Sequence, residues 1–287
     1  MDTPRAKVWA DGPLLVGTDG SDTAAAAVLW AAREATLRNQ ALHIVHATDV
    51  QEWGTDLYAA DVARILLEAP RRILDEAARL AHDLMPDLRV TTEVSGQSPW
   101  AGLLNTANEA TTIAVGSRGL GGFGALLLGS VGLKVASHAT GPVVVVRGAK
   151  EPAAGKVVAG VRNEADLDAA RFAARTAARR KDSLHLLTAW TVGHYLGDRA
   201  VSVPDEVAAS EQVTSVLRQE FPGLTVNSEV TRVASPAGAL VEASTDADLV
   251  VVGARNPAHT LGTPLGHVTH AVLHHAHCPV AVLPHGG

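Results

Sequence analysis

Ile113-Ala114-Val115-Gly116-Ser117-Arg118-Gly119-Leu120-Gly121-Gly122-Phe123-Gly124-Ala125-Leu126-Leu127-Leu128-Gly129-Ser130 opens on an apolar run, passes through six glycines and ends where a helix can begin. Physically it is a strand, a flexible loop and a helix N-terminus. Glycines let a backbone approach a phosphate closely, and the first-turn amides and helix dipole favour its negative charge. Ser130 adds a hydroxyl near the helix start. Glycine richness alone also fits a plain turn between strand and helix. Two other phosphate motifs do not fit. No Gly-Lys-Ser/Thr closes the loop, and no Gly-x-Gly-x-x-Gly follows the first strand.

Outward from this stretch the chain repeats itself. Ala114-Val115-Gly116-Ser117-Arg118 returns as Val251-Val252-Gly253-Ala254-Arg255, at an offset of 137. The same offset carries Ser98-Pro99 onto Ser235-Pro236, Leu103 onto Leu240, Gly129 onto Gly266 and Pro142-Val143 onto Pro279-Val280. Nearer the start the offset is 142 to 143. There Gly17 pairs with Gly160, Trp30-Ala31-Ala32-Arg33 with Phe172-Ala173-Ala174-Arg175, and Leu42-His43 with Leu184-His185. The first copy therefore holds a few extra residues between about 50 and 92. A Gly-, Ala- and Pro-containing stretch, 148–155, separates the copies. Two domains are expected, 1–149 and 155–287.

Within the first copy strands are expected near 14–18, 41–47, 88–94, 112–116 and 143–147. Helices are expected at 24–37, begun by Ser21 or Asp22, and at 60–84, 100–110 and 129–138. Pro70 is a candidate interruption of the second. Strands alternating with helices imply an α/β fold with a doubly wound parallel sheet in each copy. Ligands of such sheets sit beyond the carboxyl ends of the strands, where strand order reverses.

Composition narrows the function classes. Hydrophobic residues are 47% and charged residues 19%, enough for real cores, while aromatics are only 3%. Ala, Val and Leu must fill the interior. A net charge of −6 favours neither nucleic acid nor an anionic membrane as partner. The sole cysteine, Cys278, precludes an intrachain disulfide and reads as a small buried hydrophobe. Residues 1–11 are polar, with no apolar signal-peptide core, and no apolar run approaches membrane-spanning length. A cytoplasmic protein is expected.

The spacing Gly116-x2-Gly119-x9-Gly129-Ser130 resembles the ATP-binding signature of the universal stress protein family. Three more segments are similar to that family: Val16-Gly17-Thr18-Asp19-Gly20-Ser21, Ser137-His138-Ala139-Thr140-Gly141-Pro142-Val143, and His274-His275-Ala276-His277-Cys278-Pro279-Val280. The resemblance spans nearly the whole chain, twice, in the tandem form common in actinobacteria. It implies a Rossmann-like, adenine nucleotide alpha-hydrolase-like fold in both copies. It also implies that the last strands, 143–147 and 280–283, pair to form an internal pseudo-dimer, as a monomer or within a homodimer.

The resemblance further implies a ligand, ATP, with Mg2+ arriving alongside the nucleotide. Gly116, Arg118, Gly119, Gly129 and Ser130 would hold its phosphates and ribose, with Val131 beside them. Asp19 would lie by the adenosine, Gly17 and Thr18 would line the floor, and Ala47 would offer its backbone to adenine. On its own, Asp19 fits a turn or helix cap equally well. A side chain at Gly116 or Gly119 would crowd a phosphate, or strain the loop if φ there is positive.

The second copy departs from this pattern. Arg162, Asn163 and Glu164 replace Asp19, Gly20 and Ser21, and Asn256-Pro257 follows where Gly119 would stand. Gly253 and Gly266 remain, His267 replaces Ser130, and Pro257 and Pro264 stiffen the loop. A degenerate nucleotide site is expected there. His267, His270 and His274 fall on one helix face, but with no acidic or cysteine partner nearby no metal site is expected. The chain thus reads as an ATP-binding regulatory module of the stress response, acting through a protein partner. No catalytic residue is assigned, because no general base, nucleophile or carboxylate pair accompanies the glycine loop. The alternative reading is a slow ATPase or other adenine-nucleotide hydrolase of the same fold.

Overall fold

The computed structural model of the chain describes residues 12–49, 59–108, 111–119, 128–147, 154–191, 203–254 and 265–284, with backbone alone at 59–67 and 203–206. Asp11–Ala149 and Lys150–Gly287 fall into separate compact units. The first runs β1 (Leu14–Gly17), α1 (Asp22–Arg38), β2 (Leu42–Ala47), α2 (Ala59–Leu84), β3 (Val90–Ser95), α3 (Pro99–Thr106), β4 (Thr112–Gly116), α4 (Ser130–His138) and β5 (Val143–Val146). The second runs β6 (Lys156–Gly160), α5 (Leu167–Arg180), β7 (Ser183–Trp190), α6 (Val203–Glu220), β8 (Val226–Arg232), α7 (Pro236–Ala243), β9 (Leu249–Ala254), α8 (His267–His275) and β10 (Val280–Pro284).

Both units are doubly wound and parallel, as expected. The first has strand order β3-β2-β1-β4-β5, with β1 between β2 and β4. The second repeats it as β8-β7-β6-β9-β10. Central strands are buried on both faces, which explains their unbroken apolar runs: Leu14, Leu15 and Val16 of β1 and Ile113, Ala114 and Val115 of β4 are all buried. The helices meet them through small side chains. Ala24, Ala27, Ala31, Ala32 and Ala35 of α1 are all buried, so the helix sits close on the sheet, with Trp30 as its one buried aromatic.

Element limits differ from the sequence expectations in instructive places. α1 starts at Asp22, capped by Ser21, whose Oγ accepts from the Ala24 N–H at 3.3 Å. It ends at Asn39 in the left-handed conformation, φ 53°. α2 is continuous through Pro70. Pro70 is buried, and the packing of α2 against α1, β2 and β3 outweighs the one amide lost there. α3 stops at Thr106, because Ala107 turns extended (φ −82°, ψ 152°). Among the described residues, no helix is long and apolar enough to cross a membrane.

Candidate functional site

In the first unit the strand order reverses between β1 and β4, so the carboxyl ends of these strands part and leave a crevice. A cavity of about 370 Å³ occupies it. Gly17, Thr18, Asp19, Ala47, Gly116, Arg118, Gly119, Gly129, Ser130 and Val131 all line this cavity. These are the ten residues singled out in the sequence, drawn from four separate segments. Six more join them: Ala24, Val45, Pro99, Leu103, Val115 and Gly132. Val45, Ala47, Pro99, Leu103 and Val115 supply an apolar wall, while the charged groups, Asp19 and Arg118, stand at the loops.

Each loop is fixed by identifiable bonds. Thr18 N–H donates to Val45 O at 2.9 Å, the last rung between β1 and β2. Gly20 N–H donates to Thr18 Oγ1 at 3.2 Å, and Ser21 N–H to Asp19 Oδ1 at 3.0 Å. Asp19 is thus a turn residue as well as a cavity residue. Gly20 has φ +82°, which favours glycine at that bend. Thr48 N–H points to β3, donating to Ser95 O at 2.9 Å. Strand backbones alternate, so the Ala47 N–H and C=O turn the other way, beyond the last β1–β2 rung and toward the crevice.

The glycines differ in what requires them. A Cβ on Gly116 would fall 2.7 Å from the Thr23 carbonyl and 2.9 Å from Ala24 N, the backbone of the first turn of α1. A Cβ on Gly119 would strike the Asp19 carboxylate. Neither glycine has positive φ, so close approach rather than strain is the constraint at both. A Cβ on Gly17 would press on Leu103 at 2.9 Å, and one on Gly160 in the second unit on Leu240 at 3.1 Å. That pair serves packing common to both units. At Gly129 the nearest protein atom would be 3.5 Å away, an ordinary contact. Gly129 N–H donates to Ser117 O at 2.8 Å, and the Thr23 hydroxyl donates to Arg118 O, tying the loop to β4 and α1. Gly129 caps α4 without a side-chain bond, so the first-turn amides of Ser130, Val131 and Gly132 face the cavity.

The second unit is built differently at the same place. Arg162, in the Asp19 position, gives its backbone N–H, Nε and Nη2 to Asp166 at 2.8, 3.1 and 3.0 Å. The Asp166 side chain is 1% exposed and that of Arg162 46%. Thr269 stands where the first unit has Gly132, and its hydroxyl donates to Gly253 O at 3.0 Å. Glu164 opens a 3-10 turn, Glu164–Asp166, capped by Asn163. Gly266 and His267 begin α8. Asn256, Pro257 and Pro264 lie outside the described residues, as does 120–127 of the first loop. Among the described residues no three metal-ligating side chains cluster, and the His270 and His274 rings stack at 4.4 Å between centroids. Cys278 is buried.

The model of the universal stress protein family matches residues 12–147 and again 154–284. A universal stress protein of Mycolicibacterium smegmatis is 32% identical over 286 residues, covering 94% of this chain and 96% of its own length. One of Mycobacterium tuberculosis is 31% identical over 284 residues, with coverage of 94% and 96%. The crystal structure of a universal stress protein from Archaeoglobus fulgidus, 17% identical, has the same fold, with a TM-score of 0.72 over 96% of this chain and 98% of that one.

Proposed function

This chain belongs to the universal stress protein family, and we propose that it binds one ATP per chain, in the crevice of its first unit, as a regulatory ligand of the stress response. The observation that carries this reading is the convergence of ten residues from four segments on one cavity at the switch point of the sheet. The cavity suits the ligand in its parts. Val45, Pro99 and Leu103 offer an apolar slot for a flat base, with the Ala47 backbone at its edge. Gly116 lets β4 lie against the first turn of α1, Gly119 lets the loop lie against the Asp19 carboxylate, and the amides opening α4 supply donors to the negative charge. Arg118 adds a cation at the mouth. Asp19 sits as an acceptor for ribose or base.

Mg2+ would come with the triphosphate and offset its charge. Of the described side chains lining the cavity, Asp19 and Arg118 alone carry charge, a poor set for phosphoryl transfer, which needs a placed nucleophile and several charge-neutralising groups. ATP then acts by occupancy, holding the glycine loop, and a partner reads the loop. In the second unit Arg162, paired with Asp166, stands in place of Asp19, and Thr269 in place of Gly132, which argues for one site rather than two. Titration calorimetry of the full chain with MgATP tests the reading. A stoichiometry near one supports it; no binding, a stoichiometry of two, or steady ATP consumption during the titration overturns it.

A further inference from the structure

We infer that His46 is a positioning residue of this crevice, holding the peptide between Thr18 and Asp19 through a hydrogen bond from its ring to the Thr18 carbonyl. The inference rests on the nucleotide reading above and deepens it. His46 is absent from the cavity lining, although Val45 and Ala47 on either side of it line the cavity. Successive strand residues point to opposite faces, so its imidazole lies on the other side of β2. From there His46 Nδ1 reaches Thr18 O at 2.8 Å.

That carbonyl matters because the β1–β2 ladder ends just before it. Thr18 N–H makes the last rung, to Val45 O. An uninterrupted parallel ladder would satisfy Thr18 O from the Ala47 N–H two residues on. The His46 ring takes that place instead. Two consequences follow. The Ala47 amide stays turned to the crevice, open to a ligand. The Thr18–Asp19 peptide plane is gripped on its carbonyl side, which fixes the direction in which the Asp19 side chain leaves the chain. With Nδ1 as donor, the grip persists whether or not the ring carries a second proton.

The second unit shows the site without the grip. Val161 N–H keeps the last rung, to Leu187 O at 3.1 Å. Thr188, which is buried, occupies the His46 position and makes no bond to the Val161 carbonyl. The residue that follows, Arg162, is aimed by Asp166 instead. The histidine grip and the cavity aspartate occur together in one unit and are both missing from the other.

The test is a double-mutant cycle on MgATP affinity in the full chain, with wild type, His46→Ala, Asp19→Ala and the double variant. His46→Ala should weaken binding about fivefold, the worth of one ordinary hydrogen bond. In the Asp19→Ala background the same change should cost less than about twofold, since its effect passes through Asp19. His46→Asn, whose Nδ2 can donate from nearly the place of the imidazole Nδ1, should restore most of the affinity. Should His46→Ala not fold, His46→Leu fills the volume without a donor and takes its place in the cycle. Affinity unchanged in His46→Ala while Asp19→Ala weakens binding overturns the inference and leaves the nucleotide reading standing. So do fully additive effects, or an asparagine variant no better than alanine. A wild-type chain that does not bind MgATP removes the reading and the inference together.

Discussion

Gly17 and Gly160 sit at the same place in the two units, and each faces a leucine of the corresponding helix, Leu103 of α3 and Leu240 of α7. Two residues later the units diverge. In the first, Asp19 begins a turn that leaves its carboxylate against Gly119 and the crevice open. In the second, Arg162 folds back on the buried Asp166, and Thr269 crosses to Gly253. The comparison separates two kinds of demand on one scaffold. Residues common to both units answer to packing. Of the residues kept in the first alone, Asp19, Gly119 and Gly132 line a space that packing does not need, and His46 bonds the Thr18 carbonyl from the other face of β2.

The largest effect should come from Gly116→Ala. Its methyl group would meet backbone at 2.7 Å, so the first turn of α1 must move, and with it the Thr23 tie to Arg118. Overpacking of this kind costs about 1–3 kcal/mol. The expected result is a melting temperature lower by several degrees and loss of MgATP binding. An alanine variant that melts and binds like wild type would show that α1 and β4 are not in the close contact described.

Asp166→Ala sharpens the comparison from the other side. Three bonds from Arg162 are lost, but the guanidinium is 46% exposed and water can solvate it. The cost is then that of hydrogen bonds to a charged group, about 1–3 kcal/mol, rather than that of a stranded buried ion. Chemical denaturation measures it. ATP stoichiometry should stay near one. A rise to two would mean that the Arg162–Asp166 pair, and not the missing aspartate and glycine, keeps the second crevice shut.

The fold was legible because it depends on local pattern, and the ten cavity residues followed from the resemblance that the glycine spacing carries. The apolar run of β4, the glycine spacing and the 137-residue repeat each lie within a short window or recur at a fixed offset. What the sequence did not reveal depends on contacts across long separations. Thr23 meets Arg118 across 95 positions and His46 meets Thr18 across 28. Nothing in the local run Ile44-Val45-His46-Ala47 marks the histidine as different from His43, three residues earlier. Thr269 opposite Gly132 was legible in principle, since the offset of 137 aligns them. Its meaning needed the Gly253 carbonyl in place. Pro70 is a candidate interruption on propensity alone, and tertiary packing carries the helix through it.

A smaller difference lies at the helix ends. α1 closes on Asn39 at φ 53° and α5 on Lys181 at φ 62°, both left-handed. Asparagine tolerates that region and lysine does not, so the second unit carries a cost the first avoids. Lys181→Gly should therefore stabilise the chain by about 1 kcal/mol, and Asn39→Gly by only a few tenths. Denaturant midpoints decide between them; equal shifts would mean that the two caps are equivalent.

The smallest expected effect is a pH dependence set by His185, one of two histidines at matching positions. His43 on β2 meets Thr91 at 2.8 Å and Glu93 at 3.0 Å. Among the described residues, no carboxylate bonds the His185 ring on β7. Its Nε2 accepts from Asn227 Nδ2 at 3.2 Å, with Ser183 Oγ at 3.3 Å. Partial burial lowers the His185 pKa below its ordinary value of 6.5, the Lys156 charge lowers it further, and Glu229 opposes both. A lowered pKa means the unfolded chain takes up the proton first as pH falls. Between the unfolded value and the lower folded one the unfolded state holds more protons, so stability declines with acidification through that window. Above about 6.5 the contribution is fully present, and below the folded value it is gone. Denaturant midpoints at pH 7.5 and pH 5.5 should therefore differ less in His185→Gln than in wild type. Lys156→Gln, which removes the second cause, should narrow the difference in the same direction by less. A His185→Gln variant with the full wild-type decline would place the acid sensitivity of the chain on other groups.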